Sequence, residues 1–143
     1  MPTYLLLRHA DAGDRADWHG DDKQRPLTDK GRKQAQKMAK LLKKHEIDEV
    51  RSSPAARCIQ TAEPVAAEMG LRVVSDEGLF EGSAIKLGKA KGTYLICAHG
   101  DNIPETLDRL GVKWEKCAKG SCWRLKISDK GEVNEAEYIP PQA

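Results

Sequence analysis

The stretch Thr3-Tyr4-Leu5-Leu6-Leu7-Arg8-His9-Ala10-Asp11-Ala12-Gly13 decides how this chain folds. Its apolar run, Tyr4 to Leu7, is short and stops at a charge. A small polar segment containing glycine follows. That pattern predicts a buried strand, roughly Thr3 to Arg8, emptying into a loop. An arginine and a histidine at such an exit face the crevice at the carboxyl edge of a sheet, where open α/β folds bind ligands. Arginine presents a planar fork of donors that fits phosphate bidentately. A neutral imidazole is a competent nucleophile near neutral pH. Taken alone, an Arg-His pair is an ordinary surface dipeptide; two further sites change its meaning.

Working outward, Asp11 to Leu27 is a polar, aspartate-rich loop of a length that is usually functional or mobile. A first helix is expected from Thr28, an N-cap residue, with Asp29 favourable to the helix dipole. Ala35, Met38, Ala39 and Leu42 form its apolar stripe. Lys40-Leu41-Leu42-Lys43-Lys44 mixes cations with core leucines and reads as a solvated face. Strand two covers Glu49 to Ser52. A second helix is predicted from Ser53-Pro54, a cap followed by proline at the first helical position. Cys58, Ala62, Val65 and Met69 point inward from it, Pro64 should kink or split it, and Gly70 ends it.

Strand three is expected at Arg72 to Val74, and Asp76 to Gly92 has room for at most a short helix. Strand four, Thr93 to Ala98, is strongly apolar and delivers His99-Gly100. A short helix should run from about Pro104 to Leu110, with Asn102 or Ile103 near its cap and Gly111 as its stop. Two last strands, Ser121 to Ile127 and Glu132 to Ile139, meet through Ser128-Asp129-Lys130-Gly131, a hairpin signal. The tail, Pro140 to Ala143, is expected to fray. Strands alternating with helices predict a single α/β domain over residues 1–143. It should be a three-layer α/β/α arrangement with a mainly parallel sheet and a C-terminal antiparallel edge hairpin.

Composition narrows the function classes. With 39% hydrophobic and 32% charged residues, the 143-residue chain reads as globular. Its 24 basic and 22 acidic residues leave a net charge of +2, which gives no general case for a nucleic-acid partner. Neither a basic stripe nor an aromatic platform is expected. Arg8 interrupts the first apolar run too soon for a signal peptide, and no stretch approaches the ~20 apolar residues of a membrane helix. A cytoplasmic location and no membrane partner follow as expectations. Cys58, Cys97, Cys117 and Cys122 suit free thiols in a reducing compartment. Cys117 and Cys122 lack a second matching pair, and no metal site is expected there. His19 with the loop aspartates reads as mobile polar surface in preference to a metal site.

Three strands end in reactive residues. Strand one delivers Arg8-His9, strand two delivers Ser52-Ser53 and then Arg57, and strand four delivers His99-Gly100. In a parallel sheet these ends share one edge. Two arginines and two histidines would converge, which suits a phosphoryl group. The N-terminus of the second helix adds free N–H groups beside Arg57.

At these residues the chain resembles the histidine phosphatase superfamily. The resemblance is carried by Leu6-Leu7-Arg8-His9-Ala10, by Arg25-Pro26-Leu27-Thr28 with Gly31, by Ser52-Ser53-Pro54-Ala55-Ala56-Arg57-Cys58-Ile59-Gln60-Thr61-Ala62, and by Ala98-His99-Gly100. Alanine after Arg8-His9, together with small size, is most similar to the SixA-type phosphohistidine phosphatase branch. The resemblance implies that His9 attacks phosphorus and carries the phosphoryl group. It implies that Arg8, Arg57 and His99 bind the phosphoryl oxygens, with water then hydrolysing the phosphohistidine. It requires no metal or organic cofactor. Leu79-Phe80-Glu81 matches the context in which many relatives place a general acid, so Glu81 is the candidate and Glu77 a poorer one. Arg25, Asn102 and Gly100 are candidate substrate-binding residues. The alternative role for Asn102 is to cap its helix, and Ser53 reads as a cap in preference to a nucleophile. Trp18 would cover a ligand, while Trp114 and Trp123 pack.

The chain departs from larger relatives in the short segment between Glu81 and strand four. Little covering structure implies an open pocket that admits water, as hydrolysis of a phosphohistidine protein or a phosphorylated small molecule requires. A mutase needs closure against hydrolysis. The alternatives are therefore a phosphatase first, a non-catalytic module that docks a phosphorylated partner second, and a phosphomutase third. Oligomeric state is not readable.

Overall fold

Strand β1 (Thr3–Arg8) lies where the apolar run predicts it, at the centre of a six-stranded sheet. β4 (Thr93–Ala98) pairs with it in parallel on one side, and β5 (Cys122–Ile127) pairs antiparallel on the other. With β2 (Glu49–Ser52), β3 (Val73–Ser75) and β6 (Val133–Ile139), the order is β3-β2-β4-β1-β5-β6. The β3-β2-β4-β1 half is parallel, and β5 and β6 form the antiparallel edge hairpin. The computed structural model describes residues 1–88 and 90–142.

Side-chain alternation along β1 sets the layers. Leu5 and Leu7 point to one face, where they join Met38 and Leu42 of α1 (Asp29–Leu42) and Cys58 and Val65 of α2 (Ala56–Met69). Tyr4 and Leu6 point to the other, where they join Ile103 and Leu107 of α3 (Asn102–Arg109) and Ile85. The result is the expected three-layer α/β/α arrangement. Both faces of β1 are covered, which is why its sequence is a continuous apolar run.

Local signals mostly act as expected. Thr28 Oγ1 accepts from Gly31 N at 3.1 Å and so caps α1. Gly70, at φ 67°, closes α2 in the left-handed region. Among the described residues, 76–92 hold a single 3-10 turn, Glu77–Leu79. Four readings need correction. α2 starts at Ala56 with no side-chain cap, because Ser53 Oγ is engaged elsewhere. Pro64 does not split α2, which runs unbroken to Met69 while its inner face packs into the core. α3 starts at Asn102, earlier than Pro104, and its N-cap is Asp101. Finally, Lys30, Lys33, Lys37, Lys40 and Lys44 are all exposed at helical spacing, so the chain does carry a basic stripe. Of the tail, Ala143 lies outside the described residues.

Gly31 is required by close approach. A Cβ built there would sit 2.0 Å from the carbonyl oxygen of Asp11, which is backbone and cannot swing away. Gly31→Ala should therefore destabilise the fold by about 1–3 kcal/mol, the usual cost of overpacking. Urea unfolding checks this, with Gln36→Ala on the exposed face as a control expected to change little.

Candidate active site

The register of the parallel strands assembles the site. Arg8 pairs with Ala98, and Ser52 pairs with Cys97. The next residues along the chain, His9, His99 and Ser53, therefore leave the sheet side by side. The His9 and His99 rings lie 5.7 Å apart between centroids, inclined at 66°. They open on a cavity of about 540 Å³ that Arg8, Arg25, Arg57 and Glu81 also line.

His9 is buried, and its Nδ1 lies 2.9 Å from the Ala10 carbonyl oxygen. A carbonyl only accepts, so Nδ1 carries the proton and Nε2 keeps its lone pair. Burial depresses the His9 pKa from 6.5 to about 3, and the charges of Arg57, His99 and Arg8 push it the same way. The hydrogen bond to Ala10 opposes this without offsetting it. The ring is thus a neutral imidazole at any pH near neutrality, with its tautomer set by the backbone.

His99 is held from several sides. Ser53 Oγ lies 2.8 Å from its Nε2, and Arg57 Nη2 lies 3.5 Å from its Nδ1. The Ser53 hydroxyl and the Arg57 guanidinium thus flank the ring, one at each nitrogen. Phe80 meets it edge-on at 5.8 Å. The sequence reading of Ser53 as a helix cap is corrected here. Its hydroxyl accepts from Ala55 N at 3.3 Å and orients His99 instead.

The arginines arrive by different routes. Arg57 enters from the first turn of α2 and is 1% exposed. Its Nη1 donates to the Asp22 carbonyl at 2.9 Å, and its Nη2 lies 3.1 Å from Glu81 Oε1 and 3.4 Å from Asp22 Oδ2. Arg8 donates from Nη1 to the Cys117 carbonyl at 2.6 Å. The Nε atoms of both Arg8 and Arg57 are buried without a hydrogen-bond partner. Both side chains line the cavity, and two guanidinium charges in one wall suit an anion. Gly100 permits the arrangement, since a Cβ there would lie 2.5 Å from the Arg8 guanidinium.

The remaining candidates divide. Glu81 is in the cavity wall, bridging Arg57 to Arg15, whose Nη2 donates to both of its oxygens at 2.9 and 2.8 Å. Arg25 also borders the cavity; its Nη1 donates to the Ala12 carbonyl at 2.7 Å and its Nε to Asp22 Oδ1 at 3.0 Å, so it organises the loop as well. Asn102 does not line the cavity. It is buried, accepting from His99 N at 2.9 Å and donating to the Leu79 and Phe80 carbonyls. Its expected contact with substrate is replaced by a supporting one, because its amide is fully used. Trp18 does not line the cavity either; its indole donates to the Asp21 carbonyl.

The sequence reading missed Arg15, Asp22, Asp101 and Lys119, which sit in or beside the cavity. The aspartate-rich composition of the 11–27 loop was a signal for Asp22. Nothing local singled out Arg15 or Lys119. Asp22 is partly desolvated, which raises its pKa, but its bond to Arg25 and the charges of Arg57 and Arg15 outweigh this and hold it low. No group of three or more His, Cys, Asp or Glu among the described residues is arranged to hold a metal ion. Among the same residues, no helix is long and apolar enough to cross a membrane.

Comparison with known proteins agrees with this geometry. The model of the histidine phosphatase superfamily (branch 1) matches residues 4–93. An 8-oxo-(d)GTP phosphatase of Mycolicibacterium smegmatis is 32% identical, over 97% of this chain and 48% of that protein. The chain thus spans about half the length of that curated relative. Among solved structures, the protein histidine phosphatase SixA complexed with tungstate superposes with a TM-score of 0.84 at 23% identity, over 97% of each chain. A mycobacterial glucosyl-3-phosphoglycerate phosphatase superposes at 0.73 and 17% identity, over 99% of each chain. At these identities the structural matches establish a shared fold.

The two arginines in the cavity wall lead to a binding prediction. Orthophosphate at about a hundredfold excess over its dissociation constant should stabilise the protein by about 2.7 kcal/mol. Arg8→Ala should lose most of that gain. Thermal denaturation with and without orthophosphate measures both.

Proposed function

The chain belongs to branch 1 of the histidine phosphatase superfamily, and from that premise we propose that it hydrolyses phosphoryl compounds through a covalent phosphohistidine on His9. The observation that carries this reading is the state of His9. Its Nε2 lone pair is free, its other nitrogen is tied to backbone, and it opens on a cavity that Arg8 and Arg57 also line.

In the first step His9 Nε2 attacks phosphorus in line, forming a P–N bond as the bond to the leaving group breaks. Arg8, Arg57 and His99 hold the three equatorial oxygens, where charge gathers in the transition state. An incoming phosphoryl group competes with Glu81 for Arg57. Glu81, released from that contact, is proposed to take up a proton from solvent, pass it to the leaving group, and then accept one from the attacking water. In the second step water attacks phosphorus, the P–N bond breaks, and His9 is regenerated with release of orthophosphate. Every group in this scheme is a side chain or backbone atom of this chain, and we propose that the reaction is independent of metal.

The substrate class is proposed as a phosphohistidine protein, with a phosphorylated small molecule as the alternative. No helix roofs the cavity between Gly82 and Gly92 among the described residues, which supports entry of a group borne on a large partner. The same openness admits water and disfavours a mutase.

Brief exposure to phosphoramidate, followed by acid-free intact mass measurement, should place one acid-labile phosphoryl group on the wild type and none on His9→Ala. Absence of both adduct and released phosphate at millisecond times would instead favour a phosphate-docking module. Turnover of an aryl phosphate should survive a chelator such as EDTA unchanged.

The pH profile provides a separate check. His9 is already neutral above about pH 3, so it contributes no loss of kcat/KM as pH falls through its ordinary value of 6.5. Phosphoramidate labelling of His9 should persist at pH 5. Ser53→Ala should lower kcat by roughly 3–10-fold, the equivalent of one hydrogen bond, with KM little changed. Ser53→Thr should restore part of it.

A further inference from the structure

A helix on the flank of the catalytic loop carries a row of exposed cations. Lys30, Lys33, Lys37 and Lys40 are exposed along one stripe of α1, which continues to Lys44 in the turn beyond it. At 1.5 Å per residue the stripe is roughly 21 Å long. Asp29 is the lone carboxylate of α1. Among the described residues, Lys30, Lys33 and Lys40 have no ion-pair or hydrogen-bond partner.

Stability does not account for this pattern. Lys30 and Lys33 stand near the N-terminus of α1, where the helix dipole favours anions. Neighbours along the stripe are like charges three and four residues apart, which repel. The chain as a whole carries a net charge of only +2, so this is a local concentration.

The stripe is joined to the catalytic loop. A groove of about 600 Å³ runs between Lys30, Lys33, Gln34 and Lys37 on α1 and Pro141 and Gln142 of the C-terminal segment. Gln34 forms its wall, and Gln34 Oε1 also accepts from the backbone N–H of Asp11, which lines the catalytic cavity. Gly120, next to the cavity residue Lys119, lies against the same amide; a Cβ there would be 3.4 Å from Gln34 Oε1. The groove and the catalytic cavity therefore adjoin through Gln34 and Asp11.

We propose that the lysine face of α1 docks the acidic segment flanking the phosphorylated residue of a protein substrate. This rests on the phosphatase reading above and adds to it a second recognition site. The occupant follows from chemistry. α1 turns Ala35, Met38, Ala39 and Leu42 into the core, so no apolar face is left to enter a membrane. The groove has no aromatic side chain on which bases would stack. What remains is charge spread over several turns, which fits a run of carboxylates.

The test uses two synthetic phosphohistidine peptides with flanks of roughly ten residues, about 33 Å when extended, glutamate in one and serine in the other. At low salt, wild type should prefer the glutamate peptide in kcat/KM by about tenfold or more, and the preference should shrink as salt is added. The variant Lys30→Glu/Lys33→Glu/Lys40→Glu should lose the preference while hydrolysing an aryl phosphate as wild type does. Equal use of both peptides by wild type, or a preference that survives in the variant, overturns the docking site and leaves the phosphatase reading standing. If no phosphorylated compound is turned over, that reading fails. The docking site is then still tested by fluorescence anisotropy of the unphosphorylated glutamate peptide, which should bind wild type and not the variant. A single-stranded DNA of equal charge that binds more tightly than the peptide would overturn the assignment to an acidic protein.

Discussion

The burial of the Arg57 guanidinium is the constraint around which the site is arranged. A charge removed from water must be paired and hydrogen-bonded or it is lost to the fold. Arg57 meets this with partners from three separate segments: the Asp22 backbone and carboxylate, the Glu81 carboxylate and the His99 ring. The loop after β1, the segment after β3 and the exit of β4 are thereby tied to the first turn of α2. A phosphoryl group entering the cavity would meet a cation whose position is already set, and would exchange with anions that the protein itself supplies.

The same cations explain how two neighbouring histidines serve different ends. Burial and positive surroundings keep His9 neutral, and the Ala10 carbonyl fixes which nitrogen is free. His99, one strand over, instead has Ser53 and Arg57 at its two nitrogens and Phe80 against its ring. Equivalent positions on adjacent parallel strands are made chemically unequal by what each nitrogen faces.

Support for these residues is concentrated in a few backbone contacts. Asn102 joins the His99 backbone to the Leu79 and Phe80 carbonyls, and so holds the segment that presents Glu81. The Cys117 carbonyl anchors Arg8, while Gly100 clears the space its guanidinium occupies.

The amino-acid sequence by itself determined the elements and their ends. Apolar runs fix β1 and β4, Thr28 and Gly70 punctuate helices, and reactive residues follow strand exits. These are short-range matters of spacing and local hydrogen bonding, which neighbouring residues settle among themselves. The tertiary structure alone decided which groups meet. Ser53 read locally as a cap, yet a parallel register sets it beside His99. Asn102 read as a pocket residue, yet its amide is consumed by backbone 22 and 23 positions away. Arg15 carried no local signal, yet it pairs with Glu81 across 66 positions. Such contacts depend on strand order and loop packing, and their energies are set by burial and charge in the assembled molecule, to which no window of adjacent residues has access.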